Sequence, residues 1–382
     1  MNIAHIVGAR GWGGMEARTV ETALWQAERG HDVLVVAAEG GATLEAATRH
    51  GLKRLALDFE ASDKLAKLSL LRKGLRLHDV TVADFHTNRC FAVGVQDLCA
   101  LVRSRHNLNK GIAALRLPKL FPFDRVITTS EAERSYLVSS RQVPASSITV
   151  VGEWAEERFF APLPSAEAVA ARRAAFGLPA GDLVIGACGM LRPDNDFGSL
   201  IQVSARLRQR GLPVSCLIVG GPPEHGAAQS QAALRQLAAD LGVAESVHFL
   251  GHRTDVPDLL DVMDVGAVVS RHTAQTRVGP EAAARGRPVI GFSVGALAET
   301  VINGVTGLLA PLDDIDAFTN AAQRLLQDRP LREAMGASAA RYAEYNFQQA
   351  LKMEQTLAAY RHADARRNFP VSGLGVHPLS IV

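Results

Sequence analysis

The sequence predicts an α/β chain of two domains, each a parallel, doubly wound sheet. Short apolar runs alternate with helix-length amphipathic segments, and the same rhythm starts again after a composition break near residue 151. Length agrees, since 382 residues exceed what one domain of roughly 150 residues holds.

The first run, Ile3 to Val7, stops at Gly8-Ala9-Arg10-Gly11-Trp12-Gly13-Gly14. A helical pattern follows to Arg29, and a second run spans Val33 to Ala37. That is a βαβ unit, and parallel strands buried on both faces read as continuous apolar stretches. Further strands are expected around Leu55 and Leu57, at Val80 to Phe85, Ala100 to Val102 and Arg125 to Thr129. The break runs from Val151-Gly152-Glu153-Trp154 through Pro162-Leu163-Pro164, followed by a helix at Ala166 to Phe176. A second sheet is expected from Leu183 to Cys188, Ser215 to Val219, Val247 to Leu250, Gly266 to Val269, Pro288 to Gly291 and Gly307 to Leu309. A last helical pattern covers Ala339 to Ala359, and the tail from Ala363, with Pro370, Gly373, Gly375 and Pro378, reads as irregular. The expected divisions are thus 1–165, 166–345, a terminal helix over 346–362 and a tail over 363–382.

Forty-one Lys plus Arg against thirty-nine Asp plus Glu leave a formal charge of +2, too balanced for a nucleic-acid partner. The four cysteines, Cys90, Cys99, Cys188 and Cys216, form no C-x-x-C pair, so neither zinc nor a disulfide framework is indicated. They read as small buried hydrophobes in a reducing compartment. With no basic and apolar leader at Met1-Asn2-Ile3-Ala4-His5 and no run of about 18 apolar residues, the expected location is cytoplasmic.

Gly11, Gly13 and Gly14 sit between a strand and a helix starting near Met15, where backbone N–H groups meet an anion closely. The spacing is not the dinucleotide fingerprint, and the same glycines would serve a tight turn. In the second half, Thr276-Arg277-Val278-Gly279-Pro280-Glu281 reads as a helix opened by Gly279-Pro280. Its N–H groups, with Arg277, suit a diphosphate, while Glu281 either takes ribose hydroxyls or complements the helix dipole. His106 follows an apolar strand and is a functional candidate; His86 either caps its strand or lines an acceptor pocket. His5, His248 and His362 lack such a context and read as structural or exposed. Arg103 and Arg105 share a strand face, with Ser104 opposite.

Gly11-Trp12-Gly13-Gly14-Met15-Glu16, Asp84-Phe85-His86-Thr87, Val102-Arg103-Ser104-Arg105-His106 and Thr128-Thr129-Ser130-Glu131 follow one another in the first half. Gly189-Met190-Leu191-Arg192-Pro193, Leu217-Ile218-Val219-Gly220-Gly221, Phe249-Leu250-Gly251-His252-Arg253-Thr254-Asp255-Val256, Glu281 through Pro288, and Glu299 with Gly304-Val305-Thr306-Gly307 follow in the second. In this order the motifs resemble the family-four retaining glycosyltransferases of the GT-B fold. The resemblance covers residues 1 to about 362 and is nearest to members that build lipopolysaccharide, capsule or similar glycans.

It implies two facing Rossmann-like domains, with a helix around Tyr342 to Tyr360 crossing back onto the first. It also implies a UDP- or GDP-sugar donor on the C-terminal domain, a glycan or lipid-linked acceptor on the N-terminal domain, and neither cofactor nor metal. By position it places Gly13, Gly14, Arg192, Asn195, Thr276, Arg277, Val278 and Gly279 at the donor phosphates. Glu281, Gly251, His252 and Arg253 fall by ribose and base, and Glu16, His86 and Arg105 on the acceptor side; His106 and Glu281 carry the catalytic roles. Two departures stand out: Asn195 replaces the family's phosphate-binding lysine, and Thr273 replaces the first of its paired glutamates, while Gly295-Ala296 stands for a glycine pair. Arg192, Arg271, His272 or Arg277 are the cations able to compensate. A catalytically silent relative, acting as a binding or scaffold subunit, is the alternative.

Lys64, Lys67, Arg72, Lys73 and Arg76 flank a stripe of Leu65, Leu68, Leu71 and Leu75. Such a face either lies on anionic lipid at the inner membrane surface or packs as an ordinary surface helix. Lys110, Arg116 and Lys119 with Leu115, Leu117, Leu120 and Phe121 are a second candidate surface.

Overall fold

A computed structural model describes residues 1–60, 63–87, 89–106, 122–221, 227–271 and 277–368, with backbone alone at 89, 90, 227–230, 366 and 368. The chain divides into two units: Met1–Thr129, Glu133–Val151 and Met353–Val382 make the first, Ser130–Ala132 and Gly152–Lys352 the second.

The first unit holds seven parallel strands: β1 (Asn2–Val7), β2 (Asp32–Ala38), β3 (Lys53–Leu57), β4 (Val82–Phe85), β5 (Ala100–Ser104), β6 (Arg125–Thr128) and β7 (Ile148–Val150), in the order β3-β2-β1-β4-β5-β6-β7. The second holds six: β8 (Leu183–Cys188), β9 (Val214–Val219), β10 (Val247–Gly251), β11 (Val265–Val268), β12 (Val289–Phe292) and β13 (Gly307–Ala310), in the order β10-β9-β8-β11-β12-β13. Both are doubly wound sheets, and both reverse strand order at their centre, between β1 and β4 and between β8 and β11. Ligands in such sheets bind beyond the carboxyl ends of the strands at that reversal.

Burial on both faces explains why the strands read as largely apolar runs. In the second unit Val184, Leu217 and Val219 pack on one face while Ile185, Ala187, Cys216 and Ile218 pack on the other. Helix starts follow local chemistry: Asp63 Oδ1 accepts from the N–H groups of Leu65 at 3.0 Å and Ala66 at 2.9 Å, opening helix Lys64–Leu77.

Three expectations change. β7 is a strand the apolar pattern did not announce. The expected continuous helix across residues 339–359 is two helices, Arg329–Asn346 and Gln349–Asn368. They part because Phe347 is buried against Ala283, Ala339 and Ala343, and its carbonyl accepts from the N–H of Ala155 at 2.8 Å instead of continuing the helix. The second helix also runs through 363–368, which the composition marked as irregular. Its end is held where Arg367 donates to the carbonyls of Gln96 and Cys99.

Within the basic segment, Leu71 and Leu75 are buried in the core, whereas Leu65 and Leu77 are 80% and 75% exposed. Arg72 forms a fork with Asp97, both bonds 2.6 Å. Among the described residues no helix is long and apolar enough to cross a membrane. Lys110, Arg116 and Lys119 lie outside the described residues. Cys99 and Cys216 are buried, and burial pushes both thiols up to about 12.

Candidate functional site

In the first unit the chemistry gathers where strand order reverses. His5 on β1 stands in register with Asp84 on β4, and His86 follows β4 directly, its N–H donating to the carbonyl of Ile6 at 3.0 Å. The side chains form a line. His5 Nε2 lies 2.9 Å from Gln26 Oε1, His5 Nδ1 lies 3.0 Å from His86 Nε2, and His86 Nδ1 lies 2.8 Å from His106 Nε2. Gln26 comes from helix Gly14–Glu28 and is fully buried with His5. Burial lowers His5 and His86 below the usual imidazole range, and burial with the neighbouring His86 holds His106 down to about 3. All three rings are therefore neutral at pH 7.

Asp84 anchors this line. Its carboxylate accepts from Ser104 N–H at 3.0 Å, Ser104 Oγ at 2.7 Å and the Tyr360 hydroxyl at 2.5 Å. His5, Asp84 and His86 bring potential metal-ligand atoms within 4.8 Å of one another, yet each of these residues is engaged in the hydrogen bonds just named. Of the two readings the sequence allows for His5, structural or exposed, the structure shows a fully buried ring that the β1–β4 register brings next to His86. Gln26, Asp84 and Tyr360 were not singled out as site groups. The available signals were the Asp84-x-His86 pair at a strand end and the position of His5 one strand away.

The glycine loop after β1 lies beside this line, with Gly8 N–H donating to Thr87 Oγ1. Gly13 is the N-cap of helix Gly14–Glu28 in ordinary extended conformation, φ −155° and ψ −170°. A Cβ on Gly14 would meet nothing within 4 Å. Gly13's backbone is one that any residue adopts, and the space over Gly14 is open. Glu16 is buried in that helix's first turn. Arg105 donates from Nε to buried Glu133 at 2.7 Å, and burial raises that carboxyl against the pull of the guanidinium.

In the second unit the loops after β8 and β9 lock together. A Cβ on Gly220 would stand 1.7 Å from the Gly189 carbonyl oxygen, so only glycine fits there. Asn195 Nδ2 donates to the Met190 carbonyl at 2.7 Å and closes its own loop. Arg192 is exposed.

A charge chain runs beside it. Arg158 Nε meets Glu156 Oε2 at 3.1 Å, Arg277 Nη2 meets Glu156 Oε1 at 2.7 Å, and Arg277 Nε meets Glu281 Oε1 at 3.2 Å. Glu281 is buried, and its carboxylate adds to burial in pushing the Cys188 thiol up at the end of β8. That places Glu281 near the strand-order reversal.

The helix bearing Glu281 spans Val278–Ala284, so Pro280 is its third residue rather than its opener. Val278 and Gly279 are buried. Thr276, like His272 and Thr273, lies outside the described residues. Gly251 accepts from Gly220 N–H at 2.8 Å, His252 is exposed, and Arg253 forks onto Asp255 at 2.8 and 2.5 Å.

Residues 12–153 match the family described as Glycosyltransferase Family 4, and residues 182–328 match Glycosyl transferases group 1. Each of the two units thus matches one glycosyltransferase model, in chain order. A D-inositol 3-phosphate glycosyltransferase of Stackebrandtia nassauensis is 32% identical over 250 residues, 64% of this chain and 55% of the relative. The chain thus spans little more than half the length of the curated relatives it matches. Among solved structures, a glycosyltransferase from Rickettsia africae superposes with a TM-score of 0.84 at 17% identity, covering 95% of this chain and 98% of that one. Anabaena HepE in complex with UDP and glucose does so with 0.78 at 20% identity, covering 94% and 99%. These likenesses show the GT-B fold.

Proposed function

We propose that this GT-B protein is a retaining, metal-independent glycosyltransferase. In this reading it moves a sugar from a UDP- or GDP-sugar to a glycan or lipid-linked acceptor in cell-surface polysaccharide synthesis. The observation that carries the reading is the glycine turn after β1, where a Cβ on Gly14 would meet nothing within 4 Å at the N-terminus of a 15-residue helix. Such a terminus favours phosphate oxygens. Buried Glu281, near the end of β8, supports a ribose contact on the second unit. His252 and Arg253 are the matching candidates by the base.

In the proposed reaction the bond from the sugar's anomeric carbon to the diphosphate oxygen breaks as the bond to the acceptor oxygen forms on the same face. The acceptor's proton passes to the departing diphosphate. Stabilising that developing charge is then the protein's main contribution. The proposed setting is the cytoplasmic face of the membrane, where the exposed Leu65 and Leu77 with Lys64, Lys73 and Arg76 meet anionic lipid.

A second reading is favoured by one specific observation. Asn195 spends its amide on its own loop, and two compensating cations are engaged: Arg271 donates from Nε to Asp313 at 2.8 Å, and Arg277 pairs with Glu156 and Glu281. This favours a catalytically silent scaffold subunit.

Calorimetric titration with UDP, GDP and ADP, each without metal, separates the two. Micromolar binding of one nucleotide, lost in Glu281→Ala, supports the transferase; no binding to any of them moves the assignment to the silent relative. The name of the curated relatives makes D-inositol 3-phosphate the acceptor to try beside glycans.

A further inference from the structure

The histidine line has a direction. Gln26 Oε1 can only accept, so His5 Nε2 carries a proton toward it at 2.9 Å. A neutral imidazole has one N–H, so His5 Nδ1 is a lone pair and His86 Nε2 donates to it across 3.0 Å. His86 Nδ1 is then the acceptor, and His106 Nε2 must donate to it across 2.8 Å. The Asp84 carboxylate, 3.6 Å from His86 Nε2, favours the proton on that nitrogen as well. Rotating the Gln26 amide by 180° would reverse every bond in the line, and Asp84 opposes that reversal.

We propose that His86 is a positioning residue that holds His106 as its Nε2–H tautomer, with the polarity of the line set by Gln26 and Asp84 at its buried end. His106 then presents Nδ1 as a proton acceptor, suited to a substrate hydroxyl rather than to an anionic oxygen. Two buried side chains thereby define what the partly exposed ring offers. The consequence for catalysis rests on the transferase reading, but the tautomers do not.

The test is nitrogen-15 NMR of the full chain labelled at histidine, in the absence of substrate, with exposed His50 as an internal reference. His5, His86 and His106 should all show protonated Nε2 and unprotonated Nδ1 at pH 7, whereas His50 shows the rapidly exchanging mixture of a solvated ring. In His86→Phe, His106 should become a mixture, and its titration should move from about 3 toward the ordinary 6.5. Wild-type protein with His106 protonated at Nδ1 overturns the proposal, and that measurement needs no variant to fold. So does a His106 that keeps Nε2–H in folded His86→Phe, because another partner would then hold it. Stoichiometric zinc ligated by His5 and His86 in the purified protein would overturn it too. Since no nucleotide enters the measurement, its failure and the failure of the transferase reading are told apart.

Discussion

The hydroxyl of Tyr360 donates to Asp84 Oδ2 at 2.5 Å, joining the last helix to β4 across 276 residues of sequence. Both groups are buried, at 0% and 1% exposure, and Tyr360 is held well above the usual phenol range by burial and by that carboxylate. Tyr360→Phe removes one of three donors to a buried charge. A hydrogen bond to a charged group contributes about 1.5–3 kcal/mol, so a loss of about 2 kcal/mol is expected in urea unfolding. Protease cutting within residues 353–368 should rise with it; an unchanged unfolding midpoint would refute the role.

Arg285 offers a stronger case. It is 2% exposed and grips Asp261 with two bonds of 2.8 Å while donating to the Ala161 carbonyl at 2.5 Å. Arg285→Ala leaves the buried Asp261 carboxylate with only the longer Arg172 contact, 3.3 Å, from a half-buried guanidinium. Breaking one side of a buried pair costs about 3–5 kcal/mol, so the second unit should be strongly destabilised, whereas Arg329→Ala, in an exposed pair with Glu333, should leave it almost unchanged. Thermal unfolding of the two variants side by side checks the contrast.

Acid should weaken the first unit early. His5, His86 and His106 resist protonation when folded, while in the unfolded chain they titrate at about 6.5. Below that pH the unfolded state binds more protons, so the stability held at neutral pH is lost as pH falls, for His106 down to about 3. Each histidine that stays neutral costs up to about 1.4 kcal/mol per pH unit. Urea midpoints at pH 7, 6 and 5 should fall in order, and a flat profile over that window would show that these rings protonate freely in the fold.

Most of the fold was legible in the sequence, for a physical reason. Strands covered on both faces are mostly apolar, so β1, β2, β8 and β9 stood out as short runs between helical patterns, even with His5 in β1 and Ser215 in β9. β7 did not, because Ile148-Thr149-Val150 is three residues long at the sheet edge and includes a polar residue. The helical stretch through Asn368 carries little apolar signal, and its end rests on Arg367 reaching the carbonyls of Gln96 and Cys99. Of the site, His86 and His106 could be picked out because each follows a strand. Gln26 and His5 could not: nothing local ties them to His106, and it takes the register of β1 against β4 for His5 and the packing of helix Gly14–Glu28 for Gln26 to bring them into line.

The first unit is assembled from both ends of the chain, and this bears on how it is made. On the ribosome Asp84 emerges long before the tyrosine that satisfies it. At roughly 5–20 residues per second, the 276 residues between them take about 14–55 s to synthesise. During that interval the nascent N-terminal sheet has its Asp84 carboxylate short of one donor and its surface short of one helix, while residues 152–352 can collapse as an uninterrupted stretch. The unit translated first is thus the unit completed last, and its exposure to chaperones is set by the speed of translation.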